Sequence, residues 1–116
     1  AELIPLREEL AFLHSYVFLL ERRFPGSLQV DEVVAPAYHR HLLPPLVLQM
    51  LLENALKHNI LSERQPLCVS IRTRPEPHLI VENNRQSRDV PAREKTAFGL
   101  ANIRRRYWLL LCNCRS

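Results

Sequence analysis

Pro44-Pro45-Leu46-Val47-Leu48-Gln49-Met50-Leu51-Leu52-Glu53-Asn54-Ala55-Leu56-Lys57-His58 is the stretch on which the reading of this chain turns. Proline is at home in a first helical turn and disruptive later, so the pattern predicts a helix from Pro45 to about His58. Gln49, Glu53 and Lys57 recur every four residues, as do Asn54 and His58, which places all five on one side of that helix. A carboxylate, an amide, an amine and an imidazole are costly to bury without partners. The leucine side therefore belongs to a core, and the polar side is expected to meet something polar.

Upstream, Leu3, Leu6, Leu10, Leu13, Val17, Leu20 and Phe24 alternate three and four apart, which predicts a helix from Pro5 to Phe24. Glu8 and Glu9 near its start and Arg22 and Arg23 near its end suit the helix dipole, and Pro25-Gly26 stops it. The seam fits packing onto the same domain or pairing with a second chain. Leu28 to Val34 reads as a strand, and Ala35 to Leu43 as a loop whose His39 and His41 would need ligands from elsewhere to hold a metal. Downstream, Leu67 to Arg74 alternates as a half-buried strand, Pro75-Glu76-Pro77 turns, and His78 to Glu82 returns as the second strand of a hairpin. Asn84 to Thr96 reads as a long lid-like loop. Phe98 to about Leu111 is expected to be a last helix, with Leu100, Ile103, Tyr107, Leu110 and Leu111 on one side. Separated helices with an antiparallel hairpin indicate an α+β layer rather than a doubly wound parallel sheet.

The 116 residues make a single domain, and 47% hydrophobic with 24% charged residues is a globular composition, not a disordered one. The formal charge of +4 suits anionic ligands without indicating nucleic acid. No apolar run reaches the roughly 18 residues of a membrane span, and no signal peptide opens the chain. Cys68, Cys112 and Cys114 form no zinc pattern, and an odd count fits a reducing cytosol. Arg104-Arg105-Arg106 points in three directions on a helix, so it makes no single nucleic-acid patch.

Leu48 to His58, Leu-Gln-x-Leu-x-Glu-Asn-Ala-x-Lys-His, resembles the N box of LytS-type sensor histidine kinases, members of the GHKL class of ATP-binding domains. Pro44-Pro45-Leu46, Tyr16 and Glu21-Arg22-Arg23-Phe24 match the same pattern. Phe98-Gly99-Leu100-Ala101-Asn102-Ile103-Arg104-Arg105-Arg106-Tyr107 is similar to the glycine-rich box and the helix after it. The resemblance covers nearly the whole chain in order.

It implies a two-layer α/β sandwich of the GHKL or Bergerat type, with residues 1–26 as a connecting helix and 27–116 as the ATP-binding catalytic domain. It implies ATP and Mg²⁺ as cofactors. Asn54 matches the asparagine that ligates the metal, Glu53 the acidic residue that polarises the attacking group, and Lys57 and His58 positions that approach phosphates or ribose. Asn83 stands where the family has its adenine-recognising aspartate, and Arg85 at a glycine position. Phe98, Gly99 and Leu100 match the phosphate loop, where Ala97 replaces a glycine, and Arg106 matches a recurrent arginine. Without a ligand, the same helical set would be a solvated stripe with an intrahelical Glu53–Lys57 pair.

The implied activity is γ-phosphoryl transfer to a histidine on a separate segment, for relay to a response regulator. His14 does not match the family's phosphoacceptor setting and reads as a surface histidine. The expectation is therefore the cytoplasmic catalytic portion of a longer, membrane-anchored bacterial sensor that forms homodimers, with no membrane contact of its own and no nucleic-acid partner. The chain also reads as short at its C-terminus, lacking the last strands of the sheet, and an open edge would invite pairing. The alternative is a degenerate domain that keeps the fold, binds nucleotide weakly or not at all, and serves dimerisation or signalling. A mismatch-repair or topoisomerase ATPase is more distant, because the proline lead-in and the Tyr16 to Phe24 segment do not fit it.

Overall fold

A computed structural model describes residues 2–59, 62–84 and 104–112. The elements run β1 (Ile4–Pro5), α1 (Leu6–Arg23), β2 (Leu28–Val33), a 3₁₀ turn (Pro36–Tyr38), β3 (Leu42–Leu43), α2 (Val47–His58), β4 (Leu67–Arg74), β5 (His78–Asn84) and β6 (Arg104–Leu110). Among the described residues the main sheet has the order β2-β4-β5-β6, and β1 with β3 forms a separate two-stranded ribbon. The sheet is mixed: β2 runs parallel to β4, while β4, β5 and β6 are antiparallel neighbours. This is an α+β fold compatible with a two-layer α/β sandwich, as expected.

The parallel β2–β4 pair follows from α2, because a parallel return needs a crossover and a helix is the usual one. Registers Leu28↔Leu67, Val30↔Val69, Ile71↔Val81 and Val81↔Tyr107 align the apolar residues of all four strands on one face. Onto that face pack Leu6, Leu10 and Leu13 of α1 and Leu48, Leu52 and Ala55 of α2, all in one buried cluster. The α1 seam is therefore used within the domain. Each such leucine contributes about 1.5–3 kcal/mol by burial.

Helix ends are satisfied in ways the sequence pattern does not announce. The Leu6 and Arg7 amides of α1 donate to the His41 and His39 carbonyls at 2.7 and 3.0 Å. The 35–43 segment is thus a cap for α1 as well as a connection. α1 ends at Phe24, followed by Gly26 at φ 73, a left-handed conformation that costs glycine nothing. α2 begins two residues later than its prolines suggest, because Leu46 takes a left-handed conformation with φ 64. Leu46 carries no capping side chain; instead Glu9 of α1 reaches across. Its two carboxylate oxygens accept from the Leu46 and Leu48 amides, each at 2.8 Å. Glu9 is 1% exposed, so its carboxylate serves α2 rather than the dipole of its own helix.

The last element corrects the sequence expectation. Residues 104–110 form a strand, not the second half of a helix, and pair with β5 from His78↔Leu110 to Asn84↔Arg104. From Arg105 to Leu110 half-buried and exposed residues alternate, with Tyr107 and Leu109 packed against the core. An aromatic-rich run beside an unpaired strand gains a full ladder of hydrogen bonds, and that pairing outweighs the helical spacing. Beyond it, Leu42 and Cys112 exchange amide–carbonyl bonds, both 2.8 Å, tying the ribbon to the end of β6.

The core assignment predicts that Leu13→Ala lowers the unfolding free energy by about 2–5 kcal/mol. Phe18→Ala, at a residue 59% exposed, should stay within about 0.5 kcal/mol. Urea unfolding of the two variants checks the contrast.

Candidate functional site

α2 divides as its spacing requires. Leu48, Leu52 and Ala55 are buried, while Met50, Glu53, Asn54, Lys57 and His58 are exposed. Met50, Leu51, Glu53, Asn54 and Lys57 line an open groove along the helix. Glu53 accepts from Gln49 Nε2 at 3.1 Å, one turn earlier. Among the ion pairs of the described residues there is no Glu53–Lys57 bridge, so both charges stay available. Lys57 and His58 lie in the last turn of α2, where cations suit the helix dipole.

Tyr16 of α1 faces this site. Burial first, and the nearby Glu53 carboxylate second, raise its phenol above the ordinary value of 10.0. A raised folded-state value favours the neutral phenol, so its contribution to stability is intact below about pH 10 and is lost as pH climbs through the folded value.

On the inner side, α2 and the sheet enclose a cavity lined by Leu48, Leu52, Ala55, Val69, Ile71, Val81, Asn83 and Tyr107. Its volume is about 10 Å³, room for about one water and far less than a purine. Besides the Tyr107 hydroxyl, Asn83 brings a polar side chain to that lining, and it is 5% exposed. Its Nδ2 donates to the Asn84 carbonyl at 2.8 Å, which orients the amide. Asn84 is itself clamped: its Oδ1 accepts from the Cys68 amide at 2.7 Å and its Nδ2 donates to the Pro66 carbonyl at 3.1 Å. Among the described residues Asn83 Oδ1 is committed to no hydrogen bond, which leaves an oriented acceptor at the cavity wall.

Glu53, Asn54, Lys57 and His58 thus share one exposed helix face, with Asn83 across the helix at the sheet. Arg106 is placed elsewhere. It stands opposite Glu82 in the β5–β6 register, on the sheet face away from the helices. There its Nε and Nη2 donate to Glu82 Oε2 at 2.8 and 2.6 Å, and Arg72 Nη1 reaches Oε1 at 3.5 Å. Phe98, Gly99 and Leu100, with Arg85, Ala97 and most of the expected lid, lie outside the described residues. His14 is exposed and pairs with Glu32 of β2. Among the described residues no cluster of three or more His, Cys, Asp or Glu side chains could hold a metal, and His39 and His41 gain no further ligand. Cys68 and Cys112 are free thiols.

Two residues escaped the sequence reading. Glu82 had only the distant Arg72 of the predicted hairpin, at 3.5 Å, until β6 brought Arg106 opposite it. Glu9 did leave a signal, since it lies on the same helical stripe as Leu6, Leu10 and Leu13, where a carboxylate needs donors.

The chain is similar to known proteins over part of its length. It is 41% identical over 66 residues to the sensor protein LytS of Bacillus cereus, covering 57% of this chain and 11% of that protein. It is 39% identical over 66 residues to the sensor protein LytS of Bacillus subtilis strain 168, again 57% and 11%. It is 33% identical over 87 residues to the sensor histidine kinase/phosphatase LytS of Staphylococcus aureus strain MRSA252, covering 72% of this chain and 15% of that protein. The chain is therefore homologous to LytS sensor histidine kinases over a partial stretch, and spans less than a sixth of these curated relatives. No family profile matches it. Among the described residues no helix is long and apolar enough to cross a membrane.

Two measurements check this geometry. In an ultraviolet titration one of the three tyrosines should ionise late; Tyr16→Phe should remove that step, and Glu53→Gln should move it part-way down. Arg106→Met strips the buried Glu82 of a charged donor and should cost about 1–3 kcal/mol in urea unfolding, whereas a neutral outcome would mean that the pair adds nothing.

Proposed function

We propose that this chain is the ATP-binding catalytic domain of a LytS-type sensor histidine kinase, transferring the γ-phosphoryl group of ATP to a histidine on a separate segment. The observation that carries the reading is the division of α2. One stripe is buried on the sheet, and the other presents Glu53, Asn54 and Lys57 together, unpaired with one another, above an open groove. The partial homology to proteins named sensor histidine kinases points the same way.

The donor set fits Mg²⁺ bound with a nucleotide rather than alone. An exposed amide oxygen is a hard ligand, and this cation takes most of its shell from phosphate oxygens and water. When bound, the metal would neutralise charge on the phosphates being transferred. Asn54 would supply the protein ligand, and Lys57 a point charge that a phosphate can approach from several directions. His58, one turn beyond Asn54, would approach the ribose or phosphates. Glu53 would orient and polarise the attacking imidazole. Asn83, held by Asn84, presents an oxygen that accepts from the exocyclic amine of adenine, the task a carboxylate would otherwise perform. Guanine carries an oxygen at that position and would meet Asn83 Oδ1 acceptor to acceptor. Arg106, bonded to Glu82 on the other sheet face, is given no role in this reading. Phe98, Gly99 and Leu100 remain the proposed phosphate loop.

The wider assignment follows from the same reading. The partners would be the phosphoacceptor segment of a full-length homodimeric sensor and a response regulator, on the cytoplasmic side of a membrane. A second reading is favoured by the narrowness of the inner cavity and by Asn83 in place of an acidic residue. On it, the domain keeps the fold, binds nucleotide weakly or not at all, and acts in dimerisation or signalling.

Titration calorimetry separates them. ATP with Mg²⁺ should bind, GTP should bind at least about tenfold more weakly, equivalent to one hydrogen bond of about 1.4 kcal/mol, and Asn54→Ala should abolish the dependence on Mg²⁺. Absence of any heat with ATP and Mg²⁺ would leave the second reading.

A further inference from the structure

We propose that Glu9 is a positioning residue for the α2 site: its carboxylate fixes the register of α2 along α1 and so determines where Glu53 and Asn54 stand. The geometric half of this stands alone; the consequence for ligand binding rests on the nucleotide reading above.

Glu9 is 1% exposed and sits among Leu6, Leu10 and Leu13 on the buried stripe of α1. A carboxylate in that setting is tolerated only with strong donors on both oxygens. Both are supplied by the start of α2, whose Leu46 and Leu48 amides donate to Oε1 and Oε2 at 2.8 Å each. The positive end of the helix adds to the attraction.

Among the described residues no other side chain caps the start of α2. Pro44 and Pro45 carry no amide hydrogen, and Leu46 makes no side-chain cap. Leu46 is held at φ 64, unfavourable for a leucine, by its amide on Glu9 and its carbonyl on the Met50 amide at 2.9 Å. Strain of this kind persists where neighbours over-determine it.

The register then propagates. Seven residues along α1 from Glu9 lies Tyr16, and seven along α2 from Leu46 lies Glu53, the carboxylate that acts on Tyr16. The two helices are in contact, bonded through Glu9 at the start of α2, with Tyr16 within electrostatic reach of Glu53 further along. With 3.6 residues per turn, a slip of α2 by a single residue would turn Asn54 by about 100° away from the groove. An apolar residue at position 9 would fill the space without selecting a register; a carboxylate with two specific donors selects one.

The test compares Glu9→Gln and Glu9→Asp with Leu10→Val, a core change without a role in register, each under conditions where circular dichroism shows it folded. Glutamine keeps one acceptor and turns a donor toward the second amide; aspartate keeps the charge but falls short. The expected result is that both Glu9 variants move the late Tyr16 ionisation toward ordinary tyrosine and weaken ATP–Mg²⁺ binding at least about tenfold, while Leu10→Val changes neither. An unshifted Tyr16 step in a folded Glu9 variant would overturn the proposal. A shifted step in a protein that binds no ATP at all would support the positioning role and remove only the nucleotide reading.

Discussion

The burial of one narrow stripe of α2 on the sheet governs everything else in this domain. Leu48, Leu52 and Ala55 meet Val69, Ile71 and Val81 across a seam with room for about one water. That contact draws the chain from β2 over the sheet to β4 and makes their pairing parallel. It also leaves the other side of the helix without structural duties. Glu53, Asn54, Lys57 and His58 are exposed and stabilise the fold little, so their identities are free to be set by a ligand. A broader apolar stripe would bury Asn54; a narrower one would not hold α2 in place.

The sheet separates two kinds of polar chemistry by its alternation. Residues facing the helices are mostly apolar at the centre of the sheet, with polar groups toward its margins: Glu32, Thr73, Arg105 and the buried Asn83, which its bond to the clamped Asn84 orients. Residues facing away include Arg72, Glu82 and Arg106, which form a compact charged cluster across three strands. Asn83 is an acceptor awaiting a donor, while the charged cluster is satisfied internally. A one-residue shift of β6 would exchange the faces of Arg106 and Tyr107, so the Glu82 pair also fixes the last strand.

Much of this was legible in the sequence because single elements declare their period. β4 was read from Leu67, Val69 and Ile71 with its observed ends, α1 from its leucine seam, and α2 from its divided faces. The resemblance to LytS-type kinases, carried by Leu48 to His58, agrees with the partial homology. What could not be read depends on contacts distant in sequence. Leu100, Ile103, Tyr107 and Leu110 satisfy a helical spacing, yet Tyr107 and Leu109 equally satisfy a strand, and only the free edge of β5 decides. Arg106 looked like a ligand residue because Glu82 lies 24 positions away and pairs with it only once β6 is a strand. The place of Glu9 on the leucine stripe signals a need for donors, but which donors could not be read, because they stand 37 and 39 residues later.

The central claim is that the exposed face of α2 receives a metal–nucleotide complex at Asn54. Substituting paramagnetic Mn²⁺ for Mg²⁺ and following side-chain amide resonances tests it most directly. Mn²⁺ with ATP should broaden the Asn54 amide signal strongly and the more distant Asn59 signal less, and Mn²⁺ without nucleotide should do neither. An Asn54 resonance unaffected by Mn²⁺ and ATP together would contradict the account.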